Sequence, residues 1–145
     1  MTLGLSGHQT VADGAMIGLV MLIDDNDTDN FISKRIIEIT QFADQVEVKN
    51  SGKDALAYLA AHADDVNRLP RLIFLDINMP VMDGFMFLYE FENLAATVQE
   101  RCQVVILSSS DNQRDIDKIV NNQSVIQYIT KPLTKPALEE INISA

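Results

Sequence analysis

An α/β fold, a three-layer sandwich with a five-stranded parallel sheet and five crossover helices, is what this sequence predicts. Three observations lead there. Five short apolar segments with β-branched content are separated by stretches long enough to be helices. Parallel neighbours require such crossovers, and these are right-handed. The central segments, LIFL at 72–75 and VVIL at 104–107, are apolar at every position, as burial between two helix layers demands. The 145 residues fit one domain, and a composition 47% apolar but 6% aromatic implies a core built mainly from aliphatic side chains.

Taken in order, residues 1–18 are expected to be a flexible tail and residues 19–145 the folded domain, because short terminal segments usually lack a core of their own. Strands are predicted at 19–23, 46–49, 72–75, 104–107 and 125–129. After the first, Phe31, Ile32, Arg35, Ile36 and Ile39 recur at helical spacing. The run SGKDALAYLAAHA places Ser51 and Asp54 as a capping box, with Ala55, Leu56, Leu59 and Ala63 as an inward stripe. A helix over 85–94 puts Phe87, Leu88, Phe91 and Leu94 on one side. QRDIDKIVNN offers only Ile116, Ile119 and Val120, which predicts a lightly anchored helix. The last helix is brief, with Pro136 tolerable in its first turn and Leu138 and Ile141 facing inward. There is no internal repeat or second-domain boundary.

A formal net charge of -10 argues against general affinity for nucleic acid or anionic lipid and suits metal cations and basic protein partners. Cys102 is the single cysteine, so no intrachain disulfide can form and a reducing, cytoplasmic setting is expected. The N-terminal stretch carries no Lys or Arg, which argues against a secretory signal. The apolar run 15–23 is too short to insert across a bilayer.

In a sheet of this kind ligands gather beyond the carboxyl ends of the strands. Asp24 and Asp25 follow the first predicted strand, Asp76 the third, Ser108 the fourth, and Lys131 comes shortly after the fifth. Each has an ordinary reading: an acidic pair that caps a helix, a turn serine, a solvated loop lysine. Together they suit a hard divalent cation held by carboxylates, with Asp76 as a nucleophile toward a phosphoryl group whose charge the cation and Lys131 would offset. Ser108 could donate its hydroxyl to a phosphoryl oxygen.

As an ordered set, MLIDDN, LDINMPVMDG, ILSSS and YITKP resemble the receiver domain of bacterial response regulators, the phosphoacceptor module of two-component signalling. The resemblance runs from residue 19 to about 143. It implies the flavodoxin-like (CheY-like) topology with strand order 2-1-3-4-5. It also implies Asp76 as phosphoacceptor, Mg²⁺ (or Mn²⁺) held by Asp24, Asp25, Asp76 and the backbone carbonyl of Asn78, and Ser108 and Tyr128 as switch residues. The implied partners are a histidine kinase or histidine phosphotransfer protein and an unknown downstream protein target. No DNA-binding domain is expected, and the chain should be a monomer or weak homodimer. Met79-Pro80 and Asp83-Gly84 would shape the loop, Gly84 permitting a close approach before the next helix. The segment 62–71 looks longer and more acidic at its start than a minimal family connection. Two other readings are a phosphorylation-independent interaction module and a haloacid-dehalogenase-like phosphatase. The second needs another aspartate two residues after the nucleophile, where Asn78 stands.

Overall fold

The computed structural model describes residues 8–10, 17–110 and 112–144. The elements are β1 (His8–Thr10), β2 (Ile17–Ile23), α1 (Asp27–Ile39), β3 (Ala43–Lys49), α2 (Gly52–Ala61), β4 (Leu72–Leu75), α3 (Gly84–Phe91), α4 (Ala96–Arg101), β5 (Gln103–Ser108), α5 (Gln113–Val120), β6 (Val125–Thr130), α6 (Lys135–Glu139) and β7 (Asn142–Ser144). A single 3₁₀ turn, Val66–Arg68, lies in the long connection before β4.

The central sheet is parallel with the order β3-β2-β4-β5-β6. Counted within that sheet, this is the expected 2-1-3-4-5. Order reverses at β2 and β4, which lie side by side, so their carboxyl ends flank the crevice where ligands collect. Every residue of β4 is buried. Two apolar layers form, one on each sheet face. Met21, Ile23, Ile73, Leu75, Val104 and Ile106 face α2, α3 and α5, while Val20, Leu22, Leu72, Phe74, Val105 and Leu107 face α1 and α6.

Helix ends follow the expected chemistry. The Ser51 hydroxyl accepts from the Asp54 N–H at 3.1 Å and caps α2, and Ala55 and Leu59 are buried. Asp83 caps α3 by accepting from the Met86 N–H at 2.9 Å, and Phe87, Leu88 and Phe91 are buried. Ile119 is the one buried residue among the eight of α5, so that helix is thinly anchored, as are the shorter α4 and α6 with Val98 and Leu138. Pro136 sits in the first turn of α6, with Leu138 and Ile141 buried.

Three details depart from expectation. The third crossover is two helices, because the chain turns at residues 92–95 and restarts as α4, which buries Val98. On α1 the apolar spacing misleads: Phe31 is 70% and Ile39 61% exposed, while the inward face is Asn30, Ser33 and Ile37. That face packs where β2 ends in carboxylates, so its first turns are polar. The third concerns the N-terminal segment. Residues 1–7 and 11–16 of the expected tail lie outside the described residues. Of the rest, His8–Thr10 pair antiparallel with Asn142–Ser144, and Ile17 and Gly18 belong to β2.

Candidate functional site

The end of β2 delivers Asp24, whose N–H is fixed by the Lys49 carbonyl at 3.1 Å and whose carbonyl accepts from the Asn30 side-chain amide at 2.8 Å. Asn30 therefore ties α1 to the strand end. The Asp24 carboxylate accepts from the Asn26 N–H at 2.9 Å, and Asn26 in turn caps α1 by accepting from the Asp29 N–H. Thus Asn26 is the cap of α1, which leaves the Asp24 and Asp25 side chains available for another task.

Asp76 ends β4 in the same way. Its N–H donates to the Ile23 carbonyl at 3.0 Å, and its carboxylate accepts from the Asn78 N–H at 3.2 Å. The loop beyond is closed by the Gly84 N–H donating to the Ile77 carbonyl at 2.8 Å. A Cβ on residue 84 would lie 2.8 Å from Ile77 Cα, so the close approach expected of Gly84 is real. Val81, fully exposed in this loop, has φ 69°.

Carboxylate oxygens of Asp24, Asp25 and Asp76 all lie within 4.8 Å of one another. Asp24 and Asp76 are buried, while Asp25 is exposed. Lys131 reaches into this group from the turn after β6. Its Nζ lies 2.6 Å from Asp24, 2.8 Å from Asp29 and 3.4 Å from Asp76. Burial, opposed by the Lys131 and Asn26 hydrogen bonds and reinforced by the charge of Asp76, raises the Asp24 carboxyl above its ordinary value. Burial alone would lower the Lys131 ammonium. Its hydrogen bonds to Asp24 and Asp29, with the charge of Asp76, outweigh that and hold it above an ordinary lysine.

The donor set fits a hard divalent cation. All three groups offer oxygen, and an ion about 2.1 Å from each oxygen spans pairs roughly 3–4 Å apart. The observed spread of up to 4.8 Å closes on such an ion with sub-ångström adjustment.

Ser108, at the end of β5, is buried and accepts from the Ser110 N–H at 3.3 Å. Its carbonyl accepts from the Lys131 N–H at 2.9 Å, which couples the two strand ends through main chain. Tyr128 donates its hydroxyl to the Ser110 carbonyl at 2.5 Å. Burial raises the Tyr128 hydroxyl, and hydrogen bonds with Ser108 and Ser110 counter it. Asn78 has an exposed side chain and meets the group through its N–H.

Sequence reasoning missed two participants, Asn30 and Asp29. Nothing about an acid in the first turn of a helix distinguishes a dipole partner from a lysine ligand. The available signal was the polar face Asn30–Ser33 beside the strand end.

The response regulator receiver domain pattern matches residues 20–142. A probable methanogenesis regulatory protein, FilR2, from Methanothrix harundinacea is 32% identical over 97% of this chain and 91% of its own. A two component response regulator from Cytophaga hutchinsonii superposes with a TM-score of 0.78 at 34% identity, covering 86% of this chain and 92% of that one. The Mn²⁺-bound form of response regulator Rcp1 superposes with a TM-score of 0.65 at 26% identity, covering 85% and 87%. Three carboxylates at adjoining strand ends, a lysine among them and a match across nearly the whole chain leave one conclusion: this protein belongs to the response regulator receiver family, the phosphoacceptors of two-component signalling.

Proposed function

We propose that Asp76 is the phosphoacceptor and that the donor is the phosphohistidine of a histidine kinase or phosphotransfer protein. One observation carries the reading: the Lys131 ammonium lies between the buried carboxylates of Asp24 and Asp76, residues 107 and 55 positions away in the chain. A buried lysine among carboxylates can be purely structural, but the same geometry compensates charge where a phosphoryl group would attach. An Asp76 carboxylate oxygen attacks phosphorus, the P–N bond to the donor imidazole breaks, and the imidazole leaves with the bonding pair. Lys131 then donates to a phosphoryl oxygen, and the Ser108 hydroxyl donates to another.

Asp24, Asp25, Asp76 and the Asn78 carbonyl would hold Mg²⁺ (or Mn²⁺), a reading that the Mn²⁺-bound state of the similar Rcp1 supports. When bound, the cation supplies charge neutralisation of the carboxylates and of the phosphoryl oxygens. Once Ser108 engages the phosphoryl group, Tyr128 loses part of its present surroundings. Because α5 is thinly anchored, rearrangement of the α5–β6–α6 surface would surrender little burial. A downstream protein would read that surface. The chain acts on itself in this scheme and turns over no small substrate; it is assigned to the cytoplasm as a monomer or weak homodimer. No helix among the described residues is long and apolar enough to cross a membrane.

The test uses acetyl phosphate with Mg²⁺ and phosphate-affinity electrophoresis. One hydroxylamine-sensitive phosphoryl group is expected on the wild-type chain and none on Asp76→Asn, with unchanged far-ultraviolet circular dichroism. Stoichiometric labelling of Asp76→Asn would overturn the assignment.

A further inference from the structure

We infer that Asp29 is the anchor that retains Lys131 in the site when a divalent cation takes over Asp24. It is a positioning residue for phosphorylation of Asp76, and this rests on the reading of the site just given.

An ammonium has three N–H donors and no acceptor. Here three carboxylates surround it: Asp24 at 2.6 Å, Asp29 at 2.8 Å and Asp76 at 3.4 Å. Two of these, Asp24 and Asp76, belong to the acidic trio, and Asp29 does not. A cation on the trio and the ammonium on Asp24 compete for the same oxygens, and the two positive charges repel.

Asp29 resolves that competition. Its carboxylate is carried by the first turn of α1, which the Asn26 cap and the Asn30 amide fix to the strand end. Its side chain is 37% exposed, against 8% for Asp24 and Asp76, so an ammonium held there keeps part of its hydration. With Asp29 in place, Lys131 can release Asp24 and keep one fixed contact. The donor that faced Asp24 becomes available to a phosphoryl oxygen beside Asp76. With Asp29 removed, the acceptors left to Lys131 are the two carboxylates that the cation requires. Lys131 then grips them against the incoming ion, and loses its fixed orientation once displaced.

Asp29 also adds negative charge near the trio, so weakened cation binding alone would not distinguish anchoring from a direct field. The discriminating experiment is a double-mutant cycle on the full chain, with Mn²⁺ binding read by electron paramagnetic resonance. Asp29→Asn should weaken Mn²⁺ about three- to five-fold, the scale of a half-exposed ion pair. In a Lys131→Met background the same substitution should change affinity by less than about two-fold, because the loss acts through Lys131. Asp29→Glu should restore most of the affinity. A second readout needs no lysine variant: the Lys131 ¹⁵Nζ resonance should stay in slow exchange on addition of Mg²⁺ to the wild type and broaden away in Asp29→Asn.

Equal effects of Asp29→Asn in both backgrounds, or a Lys131 resonance indifferent to Asp29, overturn the anchor while leaving Asp76 labelling as evidence for the function. A wild-type chain that binds no Mn²⁺ and is not labelled at Asp76 overturns both.

Discussion

Replacing Gly84 by Ala probes how closely the strand end that carries Asp76, the proposed phosphoacceptor, is packed. A Cβ there would stand 2.8 Å from Ile77 Cα and 3.1 Å from the Asp76 carbonyl oxygen, both main-chain atoms. Ordinary contact begins at 3.4 Å, so the α3 start and the β4 end must part by about 0.6 Å. Overpacking of this kind costs about 1–3 kcal/mol, and here it also strains the Gly84–Ile77 hydrogen bond. Asp76 rides on the displaced peptide. Since a misplacement of about 1 Å lowers rates by about 10²-fold, the phosphorylation rate should fall about ten-fold. Gly52→Ala is the control. Its new Cβ meets the Met82 sulfur at 2.9 Å, the far end of a flexible side chain that can move aside, so less than about 1 kcal/mol is expected and no change in rate. Urea denaturation and the initial rate of labelling by acetyl phosphate at saturating Mg²⁺ give both numbers. A Gly84→Ala chain that is destabilised yet labelled at the wild-type rate would refute the link between loop packing and Asp76 placement. Equal losses in the two alanine variants would refute the packing argument itself.

Tyr128→Phe removes the donor to the Ser110 carbonyl and should cost about 1 kcal/mol. Amide exchange should quicken at Ser109 and Ser110 and stay unchanged in β4; protection retained at Ser110 would speak against it. Cys102 is 2% exposed, and burial pushes its thiol up to about 12. The folded chain therefore keeps this proton while the unfolded thiol, near 9, has lost it, so stability falls as pH rises between those values. Cys102→Ala should flatten that part of the stability profile in urea titrations, and identical slopes would contradict the assignment.

The sheet could be read from the chain because burial on both faces leaves no polar residue in LIFL or VVIL, and each strand end then falls on a charged or hydroxyl side chain. Asp24, Asp25, Asp76 and Lys131 were recoverable for that reason. The α1 face was not. Phe31 and Ile39 carry the helical spacing of a core stripe yet point to solvent, because the inward face must supply Asn30 to the Asp24 carbonyl and Asp29 to Lys131. Periodicity finds the apolar face of a helix, and a helix that walls a charged site buries its polar one. Pairing of β1 with β7 was out of reach too, since HQT and NIS have neither the length nor the alternation that marks a strand.

The charge count explains why such a helix is tolerated. Among the described residues, Asp24, Asp29 and Asp76 pair with one ammonium and Asp25 lies beside two of them, a formal excess of three negative charges around the strand ends. Lys131 alone cannot neutralise this group, and at Asp24 burial, with the neighbouring charge of Asp76 adding to it, raises the carboxyl above its ordinary value. A divalent cation reduces the excess to one. The fold has thus placed an unfavourable cluster where binding relieves it, so cation affinity and apo stability oppose one another at Asp24. By the same logic the α1 surface away from the site carries the exposed apolar residues: burying them would turn Asn30 and Asp29 away from the strand ends and undo the arrangement that holds Lys131.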